Sequence, residues 1–109
     1  MFEGMEFYVI NVDSTVSKPD LEKIILENGG KRVQNLMPTT THLIAAKECF
    51  RVRSIVQQYK MNVIQYRWVV NCAEFGTLVE LEPLYMIYSN ADLLRYFEQN
   101  IDKYGDHYT

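Results

Sequence analysis

Cysteine, histidine and tryptophan are scarce in this 109-residue chain, which has two, two and one of them. Two thiols, Cys49 and Cys72, are too few for the disulfide framework that holds small secreted domains, and they fit a reducing compartment. Metal ligation finds no support either. Among His42, Cys49, Cys72 and His107, no pair shows the Cys-x2–4-Cys or His-x3–5-His spacing of a zinc site. No apolar run approaches the roughly 20 residues a membrane span requires. The opening MFEGMEF lacks the basic and apolar stretches of a signal peptide, so none is expected. Excess positive charge is missing too: the net charge is −3 and the pI is near 5.3. Domains that grip nucleic acid usually carry the opposite balance, which disfavours broad DNA binding and leaves only a local basic patch open. Neither G-x-G-x-x-G nor G-x4-G-K-[ST] occurs, so the sequence has no nucleotide-binding loop. Internal repeats and low-complexity segments are also absent.

What remains suffices for one domain with a core, since 48% of the residues are hydrophobic. The apolar run FYVIN, residues 7 to 11, predicts a buried strand. Ser17 or Asp20 is placed to cap a helix, with Pro19 tolerated in its first turn. Leu21, Ile24, Ile25 and Asn28 share one face of that helix, and Gly29-Gly30 ends it. Because the glycine pair follows a helix rather than a strand, it is not a phosphate loop. Residues 31 to 35 and 42 to 46 predict two more strands. Val52, Ile55, Val56 and Tyr59 recur at i, i+3, i+4 and i+7, giving a second helix that starts near Phe50. NVIQ, residues 62 to 65, reads as a fourth strand. In YRWVVNCAEFG, residues 66 to 76, the apolar spacing predicts a third helix with Trp68 and Phe75 facing inward and Gly76 as its stop.

The predicted order is β-α-β-β-α-β-α. Short apolar strands joined by crossover helices favour a small parallel sheet covered on both faces. The segment TLVELEPLYMIY is expected to run as an irregular strap over the core. Ser89, with Asp92 three residues on, has the form of a helix start. Leu93, Leu94, Phe97 and Ile101 give the closing helix an apolar face.

Three stretches carry a family resemblance: ENGGKRVQN with its paired glycines, THLIA as a central strand, and NVIQYRWVVNCAEFG with its helical tryptophan. Together they resemble the BRCT family of DNA-repair and checkpoint proteins. The resemblance implies an α/β BRCT fold: a four-stranded parallel sheet flanked by three helices, with a C-terminal strap and helix added. Residues 1 to 88 would form the core and strap, and 89 to 103 a helix packed on it. Residues 104 to 109 would begin an inter-domain linker. Within the family, KPDLEKIILENGGKRVQN, RVRSIVQQYK, PLYMIY and the terminal YGDHY look like the first of the paired BRCT domains of the end-joining DNA ligases. That likeness implies a nuclear role in double-strand break repair. It implies two partners: a coiled-coil scaffold protein held mainly by the linker beyond this segment, and a second BRCT domain. It also implies a parent ligase whose catalytic core lies elsewhere, since the adenylated-lysine motif is not found here. No cofactor is expected in this segment.

Several residues are then candidates for function. Gly29, Gly30 and Trp68 are expected to be packing anchors, because a buried indole is worth about 3 kcal/mol or more and a bare glycine allows close approach. Many paired BRCT domains hold a phosphoserine through a hydroxyl, a glycine amide and a lysine. Carried over position by position, these places fall on Asn11, Val12 and Arg53. Arg53 is an acceptable cation and Asn11 a possible donor, but Val12 is stiff and bulky where glycine is wanted. The phosphopeptide reading therefore stands as the alternative. Lys47, Arg51, Arg53 and Lys60 around the second helix, with Lys31 and Arg32, offer at best weak, salt-sensitive DNA contact. Cys72 is expected to be an inert core thiol. Cys49 precedes a helix without a nearby base, which leaves a small flavodoxin-like enzyme as a further alternative. Tyr85, Tyr88 and Tyr96 are expected to pack strap and helix onto the core. Tyr104 and Tyr108 are the expected contacts to a partner or neighbouring domain.

Overall fold

Four short strands, β1 (Glu6–Val9), β2 (Lys31–Arg32), β3 (His42–Ala45) and β4 (Val63–Gln65), lie side by side and parallel. They belong to a computed structural model that describes residues 1–13 and 15–100. A fifth strand, β5 (Met86–Tyr88), pairs antiparallel with β4 and sets the order β2-β1-β3-β4-β5. The helices are α1 (Lys18–Glu27), α2 (Phe50–Tyr59), α3 (Arg67–Phe75) and α4 (Ala91–Asn100).

Side chains alternate across a strand, so the sheet has two buried faces. Phe7, Val9, Ile44 and Ile64 meet Leu21 and Ile25 of α1 and Trp68, Val69 and Cys72 of α3. Tyr8, Leu43, Ala45 and Val63 meet Val52 and Ile55 of α2. Two helices thus cover one face and a single helix covers the other.

Local chemistry explains the element ends. The Ser17 hydroxyl accepts the Asp20 amide at 3.2 Å and caps α1, with Pro19 in the first turn. Gly29 then turns the chain at φ +90°, a region costly for residues with a Cβ. Gly30 serves close approach instead. A Cβ there would stand 2.7 Å from Cγ2 of Ile25 and 3.0 Å from Cβ of Phe2. The chain entering β2 is therefore pressed onto α1 with no room for a methyl group.

The structure departs from the sequence reading in several places. The second strand spans only Lys31–Arg32 rather than residues 31 to 35, because it pairs with β1 over just two positions. Phe75 faces outward, 69% exposed, although Cys72 one turn earlier is buried. Helical spacing fixes only its azimuth; at the last turn of α3 the helix has outrun the core. Tyr59 is likewise half exposed at the end of α2. The strap is not wholly irregular: a 3-10 turn (Pro83–Tyr85) leads into β5, whose register shift against Val63 and Ile64 marks an irregular pairing. The cap of α4 is Asn90 rather than Ser89, because its Oδ1 accepts the Leu93 amide at 2.9 Å. Its own amide donates to Oδ1 of Asn62, which ties the helix start to the β4 approach. On α4, Phe97 is buried while Leu94 is half exposed; Ile101 lies outside the described residues.

Gly30→Ala is expected to lower stability by about 1–3 kcal/mol in urea denaturation, the usual cost of overpacking. Combined with Ile25→Ala, the two losses should be clearly less than additive, because the clashing methyl is gone.

Candidate functional site

From β1 the chain crosses to β2 on one side and returns to β3 on the other. The crevice between the carboxyl ends of β1 and β3 is therefore the topological switch point where open α/β sheets bind ligands. Asn11 sits there. Its Oδ1 accepts the amides of Ala46 at 2.7 Å and Lys47 at 3.2 Å. Its Nδ2 donates to the Lys47 carbonyl at 3.1 Å and to Sγ of Cys49 at 3.3 Å. Both ends of the carboxamide are committed to the loop between β3 and α2, so Asn11 stitches the crevice shut. Val12 is half-buried, its side chain packed against the core under α1 and α3. Arg53 is exposed and pairs with Glu48 at 3.4 Å. The structure thus brings Asn11 and Arg53 to the same end of the sheet, but each already has a partner.

Cys49 precedes α2 and is half-buried. The Val52 amide, followed by the Arg51 amide, the Asn11 carboxamide and the Arg53 charge, holds its thiol below the ordinary value. Among the described residues, no histidine lies beside Cys49 to complete a nucleophilic pair. His42, the one described histidine, lies at the opposite end of β3 with its Nδ1 2.7 Å from Oγ1 of Thr41. Cys72 differs: burial raises its pKa, and its Sγ accepts the Val79 amide at 3.2 Å. No group of three or more His, Cys, Asp or Glu among the described residues is arranged to hold a metal ion.

Trp68 is 3% exposed, and its Nε1 donates to the Val79 carbonyl at 2.7 Å. Trp68 and Cys72 therefore hold both polar groups of one strap residue. His42 stacks against the indole, 5.7 Å away and 8° from coplanar, and against Phe7 at 4.9 Å. Phe2 closes the cluster, 5.1 Å from Phe7 and 6.1 Å from Trp68. The sequence reading assigned His42 to chance; its role is packing, and only the pairing of β1 with β3 reveals it. A second polar knot was also missed. The Tyr66 hydroxyl donates to the Asp13 carboxylate at 3.0 Å and meets Thr15 Oγ1 at 2.7 Å. The Thr15 hydroxyl and amide, then Tyr66, hold the Asp13 carboxyl below its usual range.

Tyr85 is buried and its hydroxyl accepts from Asn71 at 2.9 Å, while Tyr88 is half-buried beside the α2 core. Tyr96 is 41% exposed and bonds Glu80. Tyr104 and Tyr108 lie outside the described residues. No helix among the described residues is long and apolar enough to cross a membrane.

Two predictions follow from the crevice and the aromatic stack. Asn11→Ala strands the Ala46 and Lys47 amides and is expected to cost about 1–3 kcal/mol by urea denaturation. Burial holds the His42 imidazole below the ordinary value near 6.5, whereas in the unfolded chain it titrates normally. The unfolded state therefore binds more protons between the two values, and stability falls as pH drops through 6.5 toward the lower, folded value. Urea midpoints from pH 7.5 to 5 should show this slope, and His42→Phe should flatten it.

Comparison with known proteins agrees with this architecture. The family profile described as a BRCT domain matches residues 1–85. DNA ligase 4 of Gallus gallus is 37% identical over 109 residues, all of this chain and 12% of that protein. DNA ligase 4 of Homo sapiens is 36% identical over 108 residues, with 99% and 12% covered. The chain thus spans about one-eighth of the curated relatives it matches. Among solved structures, the BRCT domain of the human DNA repair protein REV1 shares 27% identity at a TM-score of 0.66, covering 81% of this chain and 88% of that one. The Rad4 BRCT1,2 structure in complex with a Crb2 phosphopeptide aligns at 0.61 with 22% identity, covering 72% and 43%, a likeness of fold alone. With Gly30 pressed onto α1, an indole sealing α3 to the strap and a largely parallel sheet between unequal helical layers, the chain belongs to the BRCT family of protein-interaction modules.

Proposed function

We propose that this chain is a non-catalytic scaffolding module of an end-joining DNA ligase, acting in the nucleus in double-strand break repair. The observation that carries the reading is the match of 99–100% of this chain to 12% of DNA ligase 4, in a domain whose switch-point crevice is stitched shut by Asn11. With the Asn11 carboxamide committed to the β3–α2 loop, the switch point supports a domain that acts through its outer surfaces. Ligation chemistry belongs to the parent protein outside these residues. The partners are a coiled-coil end-joining scaffold, held mainly by the linker that follows, and a second BRCT domain. Tyr104 and Tyr108, at the approach to that linker, are the side chains proposed to meet them. Gly29, Gly30 and Trp68 serve by keeping the domain rigid, and Asn11 by tying the β3–α2 loop to the end of β1 rather than by holding a phosphoserine.

Affinity capture by the coiled-coil scaffold tests this. Binding is expected when the residues following Thr109 in the parent protein are present, and to be weak or undetectable without them. Equal binding by residues 1–109 alone would move the contact onto the domain, and no binding by either would overturn the reading. In a separate titration, phosphoserine peptides are expected to give a flat response. Saturable micromolar binding lost in Arg53→Ala would instead favour a phosphopeptide reader.

A further inference from the structure

Charge is segregated along the chain. Residues 31–73 hold seven of the eleven Lys and Arg but only one of the fourteen Asp and Glu, namely Glu48. An overall charge of −3 therefore hides a basic middle third between two acidic flanks. The fold gathers much of it on one side. Among the described residues, α2 is the helix packed on its face of the sheet, and it bears Arg51 and Arg53 with no carboxylate of its own. Lys47 and Lys60 flank its two ends.

The first turn of α2 is organised rather than merely charged. Asn11 fixes the backbone of Lys47 through both its amide and its carbonyl. The Arg51 guanidinium is held 6.0 Å over the ring of Tyr8, and its Nη2 donates to the Tyr8 hydroxyl at 3.2 Å. Between them Phe50 is 80% exposed, more than any other large hydrophobic residue described. Nothing in the core explains an aromatic ring set in solvent beside the positioned Arg51 guanidinium and three residues after Lys47, whose backbone Asn11 fixes. Cations that track a phosphate backbone beside a ring that stacks on an unpaired base form the pattern of single-strand recognition.

We infer that the first turn of α2, with Lys47, Phe50, Arg51 and Arg53, is a docking surface for single-stranded DNA. The inference rests on the proposed membership in a DNA ligase, which would keep DNA at high local concentration and make a weak contact effective. Charge complementarity favours a polyanion. The exposed ring favours a single strand, because the bases of an intact duplex are stacked on one another and offer no free face. Glu48 restrains the surface by pairing with Arg53.

Fluorescence anisotropy with a labelled oligothymidylate of about 16 nucleotides, in about 50 mM salt, tests this on the whole chain. Binding should weaken with salt at a log–log slope of roughly −2, as three phosphate contacts on a single strand require. Phe50→Ala should weaken it about fivefold or more. Lys47→Ala with Arg51→Ala should reduce both affinity and slope. Glu48→Gln should tighten binding by about threefold, a gain that unfolding cannot mimic. Lys23→Ala on α1 is the control and should change nothing.

Three results would overturn the inference: no binding to the oligonucleotide, equal binding to a matched blunt duplex with Phe50→Ala silent, or equal binding to polyglutamate, which would point to an acidic protein partner. Scaffold capture on the same preparations separates the two readings. Retained capture without oligonucleotide binding removes only the DNA surface, and the reverse removes only the scaffold reading.

Discussion

The indole of Trp68 is the contact on which the rest of the domain depends. Its ring stacks on His42 and approaches Phe2, which joins α3 to the sheet and to the N-terminal segment. Its single N–H meets the Val79 carbonyl, which joins α3 to the strap. A buried indole without an acceptor would forfeit much of what its area contributes, because an unpaired donor in the core costs about as much as a hydrogen bond is worth. The strap is thus required by the core, and β5 extends the sheet from a segment that the indole has already anchored. Gly30 does the complementary work at the other helix on this face, letting the chain press against α1 where any Cβ would collide.

Closure of the switch-point crevice follows from one short side chain. A carboxamide has two donor hydrogens and an acceptor oxygen, and Asn11 spends all of them on residues 46 to 49. A hydroxyl at this place would leave part of that loop unsatisfied and open to an anion. The same bonds set where α2 begins, so closing the crevice also orients the first turn of α2 and its cations. The end of the sheet that binds ligands in many α/β proteins here serves to position an outer surface.

The two faces are unequal for a related reason. On one face α1 and α3 share the cover, with Glu22 of α1 bonded to Arg32 of β2. On the other, α2 carries Arg51 and Arg53 with no carboxylate of its own, and Glu48 pairs with Arg53. A face whose helix carries cations and no carboxylate of its own lets a small domain orient itself toward an anionic partner.

The sequence by itself determined the order of the first seven elements and the stop at Gly29, and narrowed the cap of α1 to Ser17 or Asp20, because each depends on residues within a few positions of one another; the parallel sheet followed from the crossover helices between short apolar strands. Family membership was legible for the same reason: the glycine pair and the helical tryptophan are local marks. Burial at helix ends was not legible. Periodicity gives an azimuth but no depth, so Phe75 and Tyr59 read as core residues and proved exposed. Asn11 read as a weak phosphate donor and His42 as an accident, since their partners lie 35 or more residues away for Asn11 and across two elements for His42. The antiparallel β5 was hidden too, because a three-residue strand is defined by the neighbour it pairs with. Only tertiary structure brings such partners together, and hydrogen-bond and stacking roles are properties of the pair rather than of either residue alone.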